Sequence, residues 1–343
     1  MNLLTYPLIP ISYLYAGITG TRNWLYDQHL LKSYHFPITV ICVGNLTVGG
    51  TGKTPHVEYL VELLKDKKTA ILSRGYKRQT TGFVLASSQD SAATLGDEPY
   101  QYFKKFSEVT VAVCEDRVTG INKLLQLNPR LEVILLDDAF QHRPVQAHSN
   151  ILLTDYNRLF FQDRVLPAGR LRESRAGAQR ANIVIVSKCP EKLPQAEQNR
   201  LKQNISRYTK AGMPVFFSLY QYAKPVAFGN SNSYGKEIIL VTGIAQPLPF
   251  IRYLNEKGFT IIKHFNFPDH YNYRQQDLTE ISNFAKSNGS CSIITTEKDW
   301  VKLAEPIFRK QIRQLPFFYI PIKVVFLEDK EIFNGLILSN VEQ

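Results

Sequence analysis

From Cys42 to Leu60 the chain reads CVGNLTVGGTGKTPHVEYL: an apolar run suited to a strand, a glycine-rich turn, and an amphipathic helix directly after it. This order constrains the fold more than any other feature, because a strand handing its end to a helix N-terminus through glycines is the phosphate-binding arrangement of P-loop proteins. Gly49, Gly50 and Gly52, with Thr51 between them, let the backbone approach phosphate oxygens with its N–H groups inward, beside the positive end of the helix dipole. Lys53 then reaches the β- and γ-phosphates of ATP, and the Thr54 hydroxyl binds Mg2+. Pro55 falls in the first helical turn, where a missing N–H costs little. One position departs from the pattern G-x-x-x-x-G-K-[ST]: Thr47 stands where the first glycine is expected. A glycine-rich turn without a ligand is the alternative.

From residue 37 onward short Val/Ile/Leu runs alternate with amphipathic segments. The expected fold class is therefore α/β: a P-loop-type, mostly parallel sheet sandwiched by helices, with a second, smaller α/β domain and an N-terminal interfacial helix. Strands are expected at 38–44, 69–73, 109–114, 131–138, 150–155 and 181–188, and their nearly continuous apolar character implies helices on both faces. A helix at 191–209 and the strand PVFFSLY follow, and AFGNSNSYGK has a linker's composition. The expected division is 1–36 for the N-terminal helix, 37–226 for the P-loop domain, 227–236 for the linker and 237–343 for the smaller domain. In that last segment EIILVTG, FTIIKHF, CSIITTE and FFYIPIKVVF alternate with helices, one ending at Lys257 and one around 275–287.

At 343 residues a sizeable core is within reach. The net charge of +11 favours an anionic partner, whether nucleic acid, a membrane face or a phosphorylated substrate, and charge alone selects none of them; a solvated basic surface is the other reading. Cys42, Cys114, Cys189 and Cys291 lie far apart without C-x-x-C spacing and read as reduced, mostly buried residues. No secretory signal pattern is visible, which puts the nucleotide-binding part in the cytoplasm. The apolar run from Leu3 to Ile18 is interrupted by Pro7 and Pro10 and is too short to span a bilayer. Tyr13, Tyr15, Trp24 and Tyr26, with Arg22 and Lys32 nearby, suit a helix in the headgroup region. A helix packed on the protein's own core is the competing reading.

A P-loop needs a second Mg2+-binding carboxylate at the end of a neighbouring strand, and LEVILLDDAFQHR supplies Asp137 and Asp138 there. A helix cap or a surface turn is the plainer use of such acids. Asp137 is the expected metal residue, directly or through water, with Asp138 beside it.

Seven motifs, GNLTVGGTGKTP, SRGYKR (73–78), GDEP (96–99), DDAFQHR (137–143), LPAGRLRE (166–173), FPDHYNY (267–273) and TTEKDWVKL (295–303), resemble in order and spacing those of the tetraacyldisaccharide 4′-kinases of lipid A biosynthesis, over nearly the whole chain. Thr47 agrees with that family's own version of the loop; Ala139 and Arg170 depart from it, and no role is carried over to them. The resemblance implies transfer of the ATP γ-phosphoryl group to the 4′-hydroxyl of an acylated glucosamine disaccharide 1-phosphate. Such a lipid is anionic and membrane-embedded, in keeping with the basic charge and the N-terminal segment. It further implies a peripheral protein on the cytoplasmic face of the bacterial inner membrane, with a monomer favoured; the sequence shows no RNA-binding motif and no clustered Lys/Arg stripe with aromatic interleaving, so no nucleic-acid partner is expected.

In the family a catalytic aspartate works with a histidine, matched here by Asp97 in GDEP and His270 in FPDHY. Alone, Asp97 would read as a helix N-cap and His270 as a structural histidine. Arg74, Lys77, Arg78 and Arg117 could bind phosphate of ATP or of the lipid, or form a solvated basic loop, and His142 could contact substrate or satisfy the core. TTEKD either lines the nucleotide or braces the second domain; Glu297 and Lys298 stay outside the catalytic set. The loop VGGTGKT also resembles that of membrane-associated partitioning ATPases, but Val48 replaces their signature lysine and FPDHY has no role in that class.

Overall fold

A computed structural model describes residues 7–289 and 291–342. In chain order the strands are β1 (Thr39–Asn45), β2 (Thr69–Ser73), β3 (Val84–Leu85), β4 (Thr110–Val113), β5 (Val133–Asp137), β6 (Ser149–Asp155), β7 (Ile183–Ser187), β8 (Val215–Tyr222), β9 (Val226–Ala227), β10 (Glu237–Thr242), β11 (Thr260–Asn266), β12 (Ser292–Thr296), β13 (Phe317–Ile320) and β14 (Ile322–Phe326). Nine form one sheet in the order β14-β8-β7-β6-β1-β5-β2-β4-β3, and five form another in the order β11-β10-β12-β13-β9. Pairing in the larger sheet is parallel from β8 to β4, with an antiparallel strand added at each edge. The expected α/β class and mostly parallel sheet are what the chain forms.

Successive apolar residues of each central strand point to opposite faces, and both faces are covered, which is why the strands read as unbroken apolar runs. Val40 and Cys42 join a core with Ile121, Leu124, Leu201 and Ile205, from the helices Arg117–Leu127 and Gln195–Ser206. Ile41 and Val43 join the opposite core with Val57, Leu60 and Val61 of the helix Lys53–Leu63 and with Phe333 and Ile337 of the helix Lys330–Ser339.

The run FFYIPIKVVF, expected as one strand, is two. Pro321 separates β13 in the smaller sheet from β14, which returns to pair with β8 of the larger one. Proline has no N–H for a ladder, so the chain changes sheets there. The start of the expected linker is also annexed, with Ala227 pairing Phe318 and the Phe228 N–H donating to the Phe317 carbonyl at 3.0 Å. The N-terminal helix spans Ile9–Asp27, with Pro10 in its first turn, and Leu3–Tyr6 of the apolar run lie outside the described residues. None of the described helices is long and apolar enough to cross a membrane.

Candidate active site

β1 lies between β5 and β6, so its C-terminal end opens at the point where strand order reverses, the usual place for a ligand in an open parallel sheet. The glycine loop sits there. Gly49 and Gly52 have φ of 110° and 87°, values that disfavour any side chain, and a Cβ on Gly52 would fall 1.8 Å from the Tyr220 hydroxyl. Asn45 donates to the Thr51 hydroxyl at 2.6 Å, fixing the turn, and Lys53 opens the helix with Thr54 behind it. Thr47 is tolerated because the chain is still extended there: it pairs with Leu171, the Val48 N–H donates to the Arg170 carbonyl at 2.8 Å, and the Arg172 N–H donates to the Leu46 carbonyl at 2.7 Å. The motif LPAGRLRE thus forms a ribbon against the start of the loop.

β5 runs beside β1 in register Val43 to Asp137, which brings both acids to the loop. Asp137 is buried; Ser73 donates to its Oδ2 at 3.3 Å, and its Oδ1 has no hydrogen-bond partner among the described residues. Burial, reinforced by Asp138, pushes its carboxyl up to about 7. Asp138 differs: Arg172 donates to both of its oxygens, at 2.8 and 3.0 Å, and Lys53 Nζ lies 3.6 Å away. Burial opposes its charge, but Lys53 and Arg172 hold the carboxyl below its ordinary value. Mg2+ keeps waters and phosphate oxygens and asks one or two oxygens of the protein. An orphaned buried carboxylate oxygen on Asp137, near the Thr54 turn, fits that demand, whereas both oxygens of Asp138 are occupied by arginine.

Asp97 is the first residue of the helix Asp97–Lys105, whose N-cap position is taken by Gly96. The Asp97 side chain meets His270, with His270 Nδ1 2.9 Å from Asp97 Oδ2 across the 173 positions that separate them. Tyr76 packs edge-on against the His270 ring, and both line a cavity of about 50 Å³ with Lys77 and Asp97. Burial raises the Asp97 carboxyl, but the His270 hydrogen bond and the charges of Lys302 and Lys298 outweigh it and keep it below the ordinary carboxylate value.

The basic candidates divide. Arg74 and Lys77 are exposed. Arg78 is instead drawn onto Glu115 and the Gly82 carbonyl at 2.6 Å. Arg117 is buried, donating to the carbonyls of Cys114, Glu115 and Asp137, each at 3.2 Å. His142 accepts the Arg117 backbone N–H at 3.2 Å, and burial together with the Arg117 charge lowers it to about 4, so it is neutral. Arg117 and His142 thereby brace the loops around Asp137, while the Nε atoms of Arg78 and Arg117 have no hydrogen-bond partner among the described residues.

Three basic residues at the site, Arg172, Lys188 and Lys302, carry no role in the sequence reading, and Lys298 stands there outside the catalytic set. Arg172 lies within LPAGRLRE, and Lys188 follows β7, bonding Asp155 at 2.7 Å and the Gly50 carbonyl. Lys298 and Lys302, spaced i, i+4 on the helix Glu297–Leu303, approach His270 Nε2 and Asp97 Oδ2, each at 3.3 Å. The i, i+4 spacing was a readable sign that both share a helix face.

Residues 4–342 match the protein-family model for tetraacyldisaccharide-1-P 4′-kinase. The chain is 44% identical to the tetraacyldisaccharide 4′-kinase of Flavobacterium psychrophilum, with 100% of this chain and 98% of that relative covered. It is likewise 44% identical to the enzyme of that name from Cytophaga hutchinsonii, over 96% of this chain and 94% of the relative. Among solved structures it is similar to the "apo" form LpxK from Aquifex aeolicus in complex with ATP, with a TM-score of 0.77, 33% identity, and 99% of this chain and 100% of that one covered.

Proposed function

The chain belongs to the tetraacyldisaccharide-1-P 4′-kinase family, and from that membership we propose that it transfers the γ-phosphoryl group of ATP to the 4′-hydroxyl of an acylated glucosamine disaccharide 1-phosphate. The observation that carries the reading is the 2.9 Å contact of His270 with Asp97, two residues with no reason to meet unless a cleft between the two sheets is the working site.

In this reading the loop N–H groups from Gly49 to Thr54 hold the β- and γ-phosphates, and Lys53 supplies charge to the transferring group. Mg2+, when bound, neutralises phosphate charge; Asp137 and the Thr54 hydroxyl are the residues to hold it, with Asp138 fixing Lys53 and Arg172. Asp97 accepts the hydroxyl proton as the new P–O bond forms and the bond to the bridging oxygen of ADP breaks, while His270 orients the carboxylate. Arg74 and Lys77, both exposed, are the donors for an anionic substrate.

The divisions at 37–226 and 237–343 serve as the two walls of the cleft, with β14 and the last helix anchoring the second wall to the first sheet. The N-terminal helix rests on the inner-membrane surface facing the cytoplasm, where the lipid substrate lies; a monomer that binds no nucleic acid suffices. Incubation of the protein with γ-labelled ATP, Mg2+ and tetraacyldisaccharide 1-phosphate in detergent should place label in the lipid, and Lys53→Ala should not. No label with the wild type overturns the reading.

A further inference from the structure

We propose that Lys302 is a positioning residue of the phosphotransfer site: with His270 it pins one oxygen of Asp97 and leaves the other to the attacking hydroxyl. The inference rests on Asp97 being the base, as proposed above.

His270 Nδ1 and Lys302 Nζ both address Oδ2 of Asp97, at 2.9 and 3.3 Å. Among the described residues none hydrogen-bonds Oδ1, and Asp97 lines the small cavity beside Tyr76 and Lys77. Two donors on one oxygen fix the carboxylate plane and leave the second oxygen as the proton acceptor. Lys302 is itself held rigidly. Only 3% exposed, it donates to the Tyr271 carbonyl at 2.9 Å, lies 3.8 Å from Asp299 and sits over the Tyr273 ring at 5.7 Å. Asp299 is anchored in turn by the Gly243 N–H at 3.0 Å and the Thr296 hydroxyl at 2.7 Å.

A buried ammonium requires a counter-charge, and Asp299 on the same helix already offers one. The shorter contact nevertheless goes to Asp97, on a helix of the other sheet's unit. The remaining charged or titratable groups around Asp97 are His270, Lys298, the neighbouring Glu98, Glu305 and Tyr273, with Lys77 on the cavity wall. Lys302 is the cation that directly contacts the carboxylate, so its loss should weaken the ionised form of Asp97.

The test is kcat against pH at saturating ATP, for the wild type and Lys302→Met. Loss of a cation in contact with a carboxylate shifts that carboxyl by about 1–3 pH units. The acid limb of the profile should therefore move to higher pH by that amount, with plateau kcat falling about tenfold or more and the KM for ATP within about twofold. Lys302→Arg should return the limb toward the wild-type position. Should Lys302→Met not fold, Lys302→Gln, which retains a donor for the Tyr271 carbonyl, carries the same comparison. A lowered kcat with an unmoved acid limb would make Lys302 a brace only and overturn the inference alone. A wild type that never labels the lipid overturns the inference together with the reaction assigned above.

Discussion

Asp97 and His270 behave differently from ordinary ion-paired residues because each has a second commitment: Asp97 also takes Lys302, and His270 also faces Lys298 through its other ring nitrogen. An orienting imidazole has nothing to orient once the carboxylate is gone, so the losses should not multiply. Asp97→Ala is expected to reduce kcat by about 10²–10⁴-fold with the KM for ATP little changed, and His270→Ala by somewhat less. The double variant should match Asp97→Ala; strictly multiplicative losses in kcat would show two independent residues. The motifs GDEP and FPDHY named the pair, but their contact was not legible, since a hydrogen bond across 173 positions depends on how two sheets pack. Burial likewise shapes the arginines: Arg117 looks like a phosphate donor in the sequence, and in the structure its two terminal nitrogens donate to three carbonyls while its Nε has no partner among the described residues.

The helix Lys53–Leu63 carries both the phosphate end of the site and its support. His56 is buried one turn in, with Nδ1 2.7 Å from the Gly52 carbonyl and Nε2 2.9 Å from the Ser218 hydroxyl on β8. Burial lowers its pKa to about 4, despite the opposing Gly52 hydrogen bond. The unfolded chain takes up this proton near the ordinary 6.5. Between those values the unfolded state binds more protons, so the contribution is full above pH 6.5 and lost as pH falls toward 4. Thermal unfolding at pH 7 and pH 5 should show the wild type losing about 2 kcal/mol more than His56→Gln over that interval. Equal losses would remove His56 as the cause. The N-terminal helix is an element of another kind: Ile11, Leu14 and Ile18 are 53%, 68% and 62% exposed along one stripe, while Ser12 on the opposite side accepts the Ala168 N–H at 2.9 Å. An apolar side chain is worth about 1.5–3 kcal/mol when buried. Replacing all three with Gln should therefore weaken sedimentation with anionic vesicles at least about tenfold, with ATP binding retained. Unchanged sedimentation would argue against the membrane-surface reading.

At the scale of the whole molecule, the chain leaves the larger sheet after β8, builds the smaller one, and returns through β14 and the helix Lys330–Ser339. Phe333 from that last helix packs among Tyr59, Phe216 and Phe326, next to the P-loop helix. Phe333→Ala should lower stability by about 3–5 kcal/mol in urea unfolding, and a loss below about 1 kcal/mol would mean that the returning segment does not close the core. Lys105 bridges the two units from the middle, 2.8 Å from Glu58 on the P-loop helix and 2.8 Å from Glu297. The sequence by itself determined the alternation of strands and helices, the glycine loop and the acids ending β5, because period, glycine freedom and strand-end position are local properties of a chain. Only the tertiary structure decided that β14 rejoins the first sheet, that Arg172 rather than a free site occupies Asp138, and that Lys302 reaches Asp97. These outcomes depend on which buried charges find partners when distant segments exclude water together, and no run of neighbouring residues contains that information.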